Sequence, residues 1–522
     1  MVAKGKRVLL FFLLLYLIIG SIYSLTTGIS HDSLHEQTNW EVNIIAIKSF
    51  FFDNYKFSTL LDYKDKYYGI GFQFISQPIQ FLVTPIVKLF DNQISDLGAH
   101  LISKNIVVFN LFFISGLYVY LIFFNITEDR LFSIVATSVY YLYPYLLGHS
   151  FVNPKDSPFC SIWVINTYLS CNILYKFFEK NKLFYIDLFI LGVLTALLLA
   201  IRISGVLIFF QYFFSFVILV NIKNISFFKF IKFFKFKIIF LIFIIIFFTF
   251  ASYPVFWRDP FEFFLAIKAL SKHYNNVCTY TLGECLEAHN LPANYIIIWL
   301  LFKLPLISIA GLIAVPFVEK KIFINTKRSI FFGTLLFGST GLLIILILTR
   351  VALYNEIRHI LFLVFLIFSL GISSLYFFSR KFTIILAFIS SLAFLVENIY
   401  IHPYQYTWYN LLTRSLDIQK NFEIDYFGIS NKNLSKEISK NSSSSLCIFG
   451  DQYVKEFLEH SNYKCFKNYS EIDSEKKRPF LVVQNLKNLY KNPINCKNMY
   501  KEKYKLLFYK KDLVTGNLWI CD

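Results

Sequence analysis

The chain has 522 residues, of which 56% are hydrophobic, 20% aromatic and only 16% charged. This composition excludes a disordered chain and an ordinary soluble protein, and it predicts a polytopic membrane protein. The formal net charge of +18 does not indicate nucleic-acid binding, because the lysines form short clusters between apolar runs. The sequence also contains no Gly-rich phosphate loop and no RNA-binding pattern.

Apolar runs long enough to cross a bilayer, about 20 residues each, recur along the first 400 positions. We predict eleven transmembrane helices, at about 8–27, 105–124, 131–150, 157–177, 183–201, 203–221, 238–254, 294–316, 330–349, 360–378 and 383–399. The first run also fits a signal peptide. No clear A-x-A cleavage site follows it, however, so a retained first helix is favoured.

The segment 69–90, GIGFQFISQPIQFLVTPIVKLF, contains prolines and glutamines and fits either a span or an interfacial helix. The basic start MVAKGKR predicts a cytoplasmic N-terminus. If 69–90 lies along the interface, every strongly basic short loop falls on the cytoplasmic side, as the positive-inside rule requires. We therefore predict that 69–90 is interfacial and that the C-terminus is extracytoplasmic.

The cysteines give an independent check on this topology. Six of them fall on the predicted outer side, namely Cys278, Cys285, Cys447, Cys465, Cys496 and Cys521. Six is an even number, which suits three disulfides in an oxidising compartment. A bond between Cys278 and Cys285 would close a small loop, and the other four leave three connectivities open. Cys160 and Cys171 fall in a predicted membrane helix.

The composition changes from about residue 400 onward. LCIFGD and FLVVQN are typical of short buried strands, and QYVKEFLEH is typical of a helix. Strands that alternate with helices predict a small α/β domain. We therefore expect a transmembrane domain over 1–400 and an extracytoplasmic α/β domain over 401–522.

Charged and polar residues gather at the predicted outer ends of the spans. The stretches that carry them are HDSLHEQTNWE, HSFVNPKDSPF, YPVFWRDPFEFF, RVALYNEIRH and NIYIHPYQYTWYN, with Arg202 between the second and the third. Ionisable groups at membrane depth usually serve a function. Their distribution therefore predicts an active site at the outer face.

The first of these stretches offers a metal hypothesis. His31-Asp32-Ser33-Leu34-His35 is similar to the metalloprotease motif H-E-x-x-H with Asp in place of Glu. The shorter Asp side chain reaches a zinc-bound water poorly, and no third ligand follows, so a protease is disfavoured. A site in which His31, Asp32, His35 and Glu36 hold a divalent metal ion stays open.

The stretches taken together, in this order and on this topology, resemble the GT-C glycosyltransferases. The similarity is greatest to the branch of protein O-mannosyltransferases and aminoarabinose transferases, and it covers roughly residues 8–410. The motifs that carry it are HDSLHE, YYGIGFQF, HSFVNPKDSPF, LPANYIIIWLLFKLP, EIRHILF and HPYQYTWYN. The resemblance implies a GT-C-like polytopic α-helical protein of the bacterial inner membrane.

The resemblance also implies a reaction. The donor is a polyprenyl-phosphate sugar, the acceptor is an unidentified hydroxyl of a lipid, glycan or protein, and the active site faces the periplasm. An acidic residue of the first outer loop acts as the base; Asp32 matches that place and Glu36 is the alternative. Asp156 matches a second acidic position that orients the acceptor or the base. One direct displacement would invert the anomeric centre.

The leaving group is a lipid phosphate, whose growing negative charge needs cations. The candidates are Lys155, Arg202, Arg258 and Arg358, with His359 beside them. Two departures from the family pattern affect these roles. Ser33 follows Asp32 where an adjacent acid is usual, so the division of labour between Asp32 and Glu36 stays open. Arg202 stands where relatives often have Lys.

Two other function classes fit a protein of this composition, namely a multi-span transporter and a related glycan polymerase or ligase. Transporters place charges near the bilayer midplane on broken helices, usually within internal repeats. The sequence shows no repeat, and among its apolar runs only Lys303 lies near a midplane. A glycosyltransferase is therefore the favoured interpretation.

Overall fold

The chain folds into a bundle of helices followed by a five-stranded β-sheet. The structure, a computed structural model, describes residues 2–52, 54–223, 226–270, 277–318, 320–440, 446–458, 463–474, 479–485, 493 and 495–521. The helices up to the end of the bundle are α1 (Val2–Thr27), α2 (His31–Phe52), α3 (Asn54–Asp62), α4 (Gly71–Phe90), α5 (Asp96–Thr127), α6 (Arg130–Leu142), α7 (Pro144–Val152), α8 (Asp156–Lys180), α9 (Tyr185–Ile201), α10 (Ile208–Lys223), α11 (Phe227–Ala251), α12 (Glu262–Leu270), α13 (Tyr295–Lys303), α14 (Leu306–Ala314), α15 (Thr326–Leu348), α16 (Leu361–Phe378) and α17 (Arg380–Ile401).

Every apolar run that predicted a span is helical. Seven single helices are long and apolar enough to cross a membrane, and two bent pairs raise the number to nine among the described residues. The bent pairs are α6 with α7, at 54°, and α13 with α14, at 119°. α8 and α9 complete the predicted set, but neither is among these candidates, and α9 has only 17 residues. The chain is a multi-pass helical protein, and the count of eleven stays a prediction.

The segment predicted to be interfacial forms helix α4, which contains Pro78 and Pro85 and packs along α5. α4 is not among the helices that qualify as spans. Its relation to the bilayer stays a prediction, because the structure contains no membrane.

Basic residues lie at one end of the bundle. There Arg328 Nε donates a hydrogen bond to the carbonyl of Ile126 (2.8 Å), and Arg380 pairs with Asp129 (2.5 Å). Lys327, next to Arg328, lies over the ring of Tyr175 near the end of α8. Since neighbouring helices alternate in direction, the other ends of α8, α9 and α16 lie together at the opposite end of the bundle. That opposite end carries the acidic motifs.

A mixed sheet forms the C-terminal part of the chain, with strand order β4-β3-β5-β7-β6. A separate hairpin lies between α12 and α13. The strands and remaining helices are β1 (Cys278–Thr281), β2 (Glu284–Glu287), α18 (Ile418–Asn421), α19 (Ser430–Lys440), β3 (Cys447–Gly450), α20 (Gln452–Lys455), β4 (Cys465–Asn468), β5 (Phe480–Asn485), β6 (Cys496–Tyr504) and β7 (Leu513–Cys521). α19 packs Leu434 and Ile438 against strand residues Ile448, Val483 and Leu518. The chain before α19 packs against the bundle, where the amide of Asn410 donates to the carbonyl of Phe302 (3.0 Å).

Three disulfides join neighbouring strands. Cys278–Cys285 closes the β1–β2 hairpin, Cys447–Cys465 joins β3 to β4, and Cys496–Cys521 joins β6 to β7. The first is the pairing that the sequence suggested. The other two are one of the three connectivities that the sequence left open for the last four cysteines. Cys160 and Cys171 are free and buried in α8.

We predict that replacing Cys447 and Cys465 together by Ser lowers the free energy of unfolding of the sheet by about 3 kcal/mol. The disulfide joins residues 18 positions apart, and closing a loop of that length stabilises a folded protein by about this amount. Thermal unfolding of the purified protein measures the change. Non-reducing peptide mapping must recover the Cys447–Cys465 peptide from the wild type and from a Cys160→Ala control. Recovery of a Cys447–Cys496 peptide instead would contradict the strand order.

Candidate active site

Two arginines and two aspartates from distant parts of the chain form one ion cluster at the acidic end of the bundle. Arg358 Nη1 donates to Asp32 Oδ2 and lies 3.6 Å from Asp156 Oδ2. Arg202 Nη2 lies 2.5 Å from Asp156 Oδ1. The side chain of Asp156 is 1% exposed and that of Asp32 is 28% exposed. The cluster therefore joins a buried carboxylate to an accessible one through Arg358.

The turn between α7 and α8 fixes two of the predicted site residues. Asn153 Oδ1 accepts hydrogen bonds from the backbone amides of Lys155 (3.1 Å) and Asp156 (2.9 Å), and Asn153 Nδ2 donates to Asp156 Oδ2 (3.0 Å). An Asn side chain that bonds its own backbone two residues on is a local turn motif. The Asn-Pro dipeptide is a turn signal in the sequence. The sequence did not predict that the Asn153 side chain holds Lys155 and Asp156.

Lys155 forms a second ion pair, which is buried, with Glu36. Its Nζ lies 2.8 Å from Glu36 Oε1, donates to the carbonyl of Gly69 (3.1 Å), and lies 4.0 Å from the ring centre of Tyr68. Gln73 Nε2 donates to the other oxygen of Glu36. Burial lowers the pKa of Lys155, and the neighbouring Glu36 carboxylate opposes that shift. Glu36 is thus engaged by two donors.

The two glycines of the motif YYGIGFQF, Gly69 and Gly71, are required for steric reasons. A Cβ added to Gly69 would lie 2.1 Å from the carbonyl oxygen of Ala200, and one added to Gly71 would lie 2.6 Å from the Ala200 side chain. Only glycine lets this segment pass so close to the end of α9. The close approach brings the carbonyl of Gly69 to Lys155 and leads directly into Gln73.

A cavity of about 240 Å³ opens beside the cluster. Its polar lining comes from Tyr68, Lys155, Arg202, Ser204, Tyr354 and His359. Its apolar lining comes from Ile201, Ile203, Val206, Leu207, Ile267, Leu270, Leu346, Val351, Ala352, Leu353, Ile360 and Phe362. Within the described residues, no hydrogen-bond partner reaches Nδ1 of His359. The cavity therefore has both cationic and apolar side chains in its lining.

One further buried cation was not predicted. Lys104, in α5, is fully buried, and no described group accepts a hydrogen bond from its Nζ. It lies within electrostatic range of Glu36 and Lys155. Lys155, Arg202 and Arg358 pair with the three carboxylates of the site, whereas no described carboxylate bonds Lys104. An anion would be stabilised there.

Other predicted site residues lie apart from the cluster. Arg258 is exposed, and its guanidinium lies over the ring of Phe57 at 4.7 Å. His31 Nε2 pairs with Asp451 of the C-terminal part (2.7 Å), and His35 Nε2 pairs with Asp65 (3.1 Å).

The four side chains considered for a metal ion thus face four different partners. Asp32 pairs with Arg358 and Glu36 with Lys155, while His31 and His35 each pair with an aspartate. Over the described parts of the chain, no three His, Cys, Asp or Glu side chains converge as metal ligands would.

We predict that Asp156→Asn destabilises the protein by about 3–5 kcal/mol, because it leaves two guanidiniums without their buried counter-charge. Unfolding in a detergent or SDS titration measures the loss. Asp187→Asn is the matched control: Asp187 pairs with Lys176 at 2.9 Å, but the two side chains are 20% and 37% exposed. The Asp187→Asn substitution should lower the free energy of unfolding by only about 0–1 kcal/mol. Equal losses in both variants would show that the Asp156 pair contributes no more than a surface pair.

No family model matches the chain, and no curated protein matches it in sequence. In structure the chain is similar to ArnT from Cupriavidus metallidurans in the apo state, with TM-score 0.47 and 10% identity over 100% of this chain and 98% of that one. The same protein bound to undecaprenyl phosphate matches with TM-score 0.42 and 10% identity over 85% and 87%.

A further similar structure is the Archaeoglobus fulgidus oligosaccharyltransferase tethered with an acceptor peptide. It matches with TM-score 0.39 and 9% identity, over 91% of this chain and 69% of that one. The matched aminoarabinose transferase and oligosaccharyltransferase are both members of the GT-C superfamily.

Proposed function

We propose that this protein is an inverting glycosyltransferase that moves a sugar from a polyprenyl-phosphate donor to a hydroxyl acceptor at the periplasmic face of a bacterial inner membrane. One observation carries the proposal. Both cations and apolar side chains line one cavity, and one of these cations, Arg202, belongs to the ion cluster that contains the accessible carboxylate of Asp32. A phosphate joined to a prenyl chain has this same division of polar and apolar surface.

The donor phosphate binds at the cations of the cavity lining. Lys155 and Arg202 are these cations, and His359 adds a ring nitrogen that lacks a described partner. Arg offers a planar fork that matches phosphate oxygens, whereas Lys supplies a point charge. The first isoprene units contact Leu207, Phe362 and the other apolar walls, where each buried CH₂ contributes about 0.8 kcal/mol.

The transfer is one displacement at the anomeric carbon. The acceptor oxygen attacks that carbon while its proton passes to the carboxylate of Asp32. The bond from the anomeric carbon to the phosphate oxygen breaks, and its electron pair stays on that oxygen. Prenyl phosphate leaves with one more negative charge than it had in the donor. Arg202 and Arg358 stabilise this charge as it develops.

Burial favours Asp32 over Glu36 as the base. The Glu36 side chain is 3% exposed and holds Lys155, whereas 28% of the Asp32 side chain is open to an incoming acceptor. Asp32 is paired with Arg358 in the structure. A bound phosphate competes for that guanidinium, which makes the carboxylate a better proton acceptor. Asp156 then acts as a positioning residue that keeps both arginines in place.

Charge distribution supports the periplasmic orientation. Arg328, Arg380 and the neighbouring lysines lie at the end of the bundle opposite to the site. Basic residues mark the cytoplasmic side of bacterial membrane proteins. The three disulfides all lie in parts of the chain that belong to the end with the site, and disulfides persist in the periplasm.

We predict that Asp32→Asn lowers the rate of sugar transfer by about 100- to 10,000-fold, the usual contribution of a general base. The assay follows a radiolabelled sugar from a polyprenyl-phosphate-sugar pool in membranes that contain each variant. Asp512→Asn is the matched control, because Asp512 pairs with Lys503 on the exposed edge of the sheet. Full activity of Asp32→Asn, with loss of activity in Glu36→Gln, would assign the base to Glu36 instead.

A further inference from the structure

The loop between α15 and α16, residues 351–359, supplies much of the site. Leu353, Tyr354 and His359 line the cavity, and Arg358 pairs with Asp32. Two consecutive residues of this loop, Asn355 and Glu356, have positive φ angles of 50° and 67°. Side chains other than glycine rarely adopt this left-handed conformation. Contacts from outside the loop must therefore hold it.

Those contacts come from three different parts of the chain. Glu356 Oε1 lies 2.8 Å from Lys303 Nζ and accepts a hydrogen bond from Tyr409 (3.2 Å). The carbonyl of Glu356 accepts from Tyr295 (3.1 Å), and the amide of Asn355 donates to Thr279 Oγ1 in the β1–β2 hairpin (2.8 Å). The backbone of the loop is thus fixed on both sides of the strained pair.

Lys303, the partner of Glu356, is also fixed by several contacts. It ends α13, where the chain bends by 119° into α14. Its Nζ donates to the carbonyl of Trp408 (3.0 Å) and lies 3.7 Å from the ring centre of Tyr409. The side chains of Lys303 and Glu356 are both 0% exposed. No residue of the proposed reaction is among these partners, so the pair acts on the site only through the loop.

Stability alone does not account for this pair. Removing two charges from water is costly, and apolar residues of the same volume often stabilise a protein as well as a buried ion pair does. What an ion pair adds is a fixed geometry. Arg358 and His359 lie two and three residues beyond Glu356 in the same loop.

We infer that Lys303 and Glu356 are positioning residues that hold the 351–359 loop so that Arg358 and His359 meet the donor phosphate. This inference rests on the proposed function. It predicts that loss of the pair weakens binding of a prenyl phosphate even where the protein folds normally. A merely structural pair would affect binding only as far as it affects folding.

The test measures the Kd of undecaprenyl phosphate and the Tm for purified wild type and three variants. Glu356→Gln should raise the Kd at least tenfold and lower the Tm, because Lys303 is left as an unpaired buried charge. Glu397→Gln is the matched control. Glu397 is likewise a buried carboxylate paired with one cation, Arg414, at 3.0 Å. Its variant should lower the Tm and change the Kd less than twofold.

The decisive variant is Lys303→Met with Glu356→Gln, which removes both charges together. Its Tm should recover toward the wild-type value, while its Kd stays at least tenfold raised. A wild-type Kd in this double variant would overturn the positioning role and leave the proposed function intact. Failure of the wild type itself to bind undecaprenyl phosphate would overturn the proposed function, and this inference with it.

Discussion

The carboxylate of Asp156, held between two guanidiniums, is the interaction on which the site depends. It lies 2.5 Å from Arg202 and 3.6 Å from Arg358, and only 1% of the side chain is exposed. A carboxylate buried to this extent must be paired, because an isolated charge cannot be removed from water at a tolerable cost. The pairing therefore forces the ends of α8, α9 and the 351–359 loop to meet. Asp32, on α2, joins them through Arg358.

The same constraint explains why the site suits an anionic ligand. Each carboxylate at the site already has a cation, and Lys104 and His359 add polar groups that no described residue satisfies. His359 lines the cavity together with many apolar side chains. A phosphate would bind the polar groups, and a hydrocarbon chain would cover the apolar side chains. In the proposed function, the ion cluster sets both the geometry of the reaction and the class of donor.

The sequence predicted much of the helical architecture, and the reason is physical. Apolar runs of membrane length can satisfy their backbone groups only as helices, so every predicted run is a helix. Charged residues at the ends of such runs had to lie at one face or the other. This reasoning predicted that Asp32, Asp156, Arg202 and Arg358 lie at the same face, and in the structure they form one cluster. The roles of these residues stay predictions.

Other features lay beyond the reach of a single sequence, because periodicity does not tell which helix faces meet. The Lys303–Glu356 pair joins segments 53 residues apart through the bend after α13. The turn of Asn153 and the buried position of Lys104 depend on contacts of the same kind. Arg258 was grouped with the cations by its place in the sequence, yet it lies over Phe57, outside the cluster. The pairing of the last four cysteines required the strand order of the sheet.

The central claim is that a prenyl phosphate binds in the cavity, at its cationic side chains. A cryo-EM structure of the protein in lipid nanodiscs with undecaprenyl phosphate tests it most directly. The account predicts phosphate density within hydrogen-bonding distance of Lys155 and Arg202, with the first isoprene units against Leu207 and Phe362. Phosphate density elsewhere, for instance at Arg258 with the cavity empty, would contradict it.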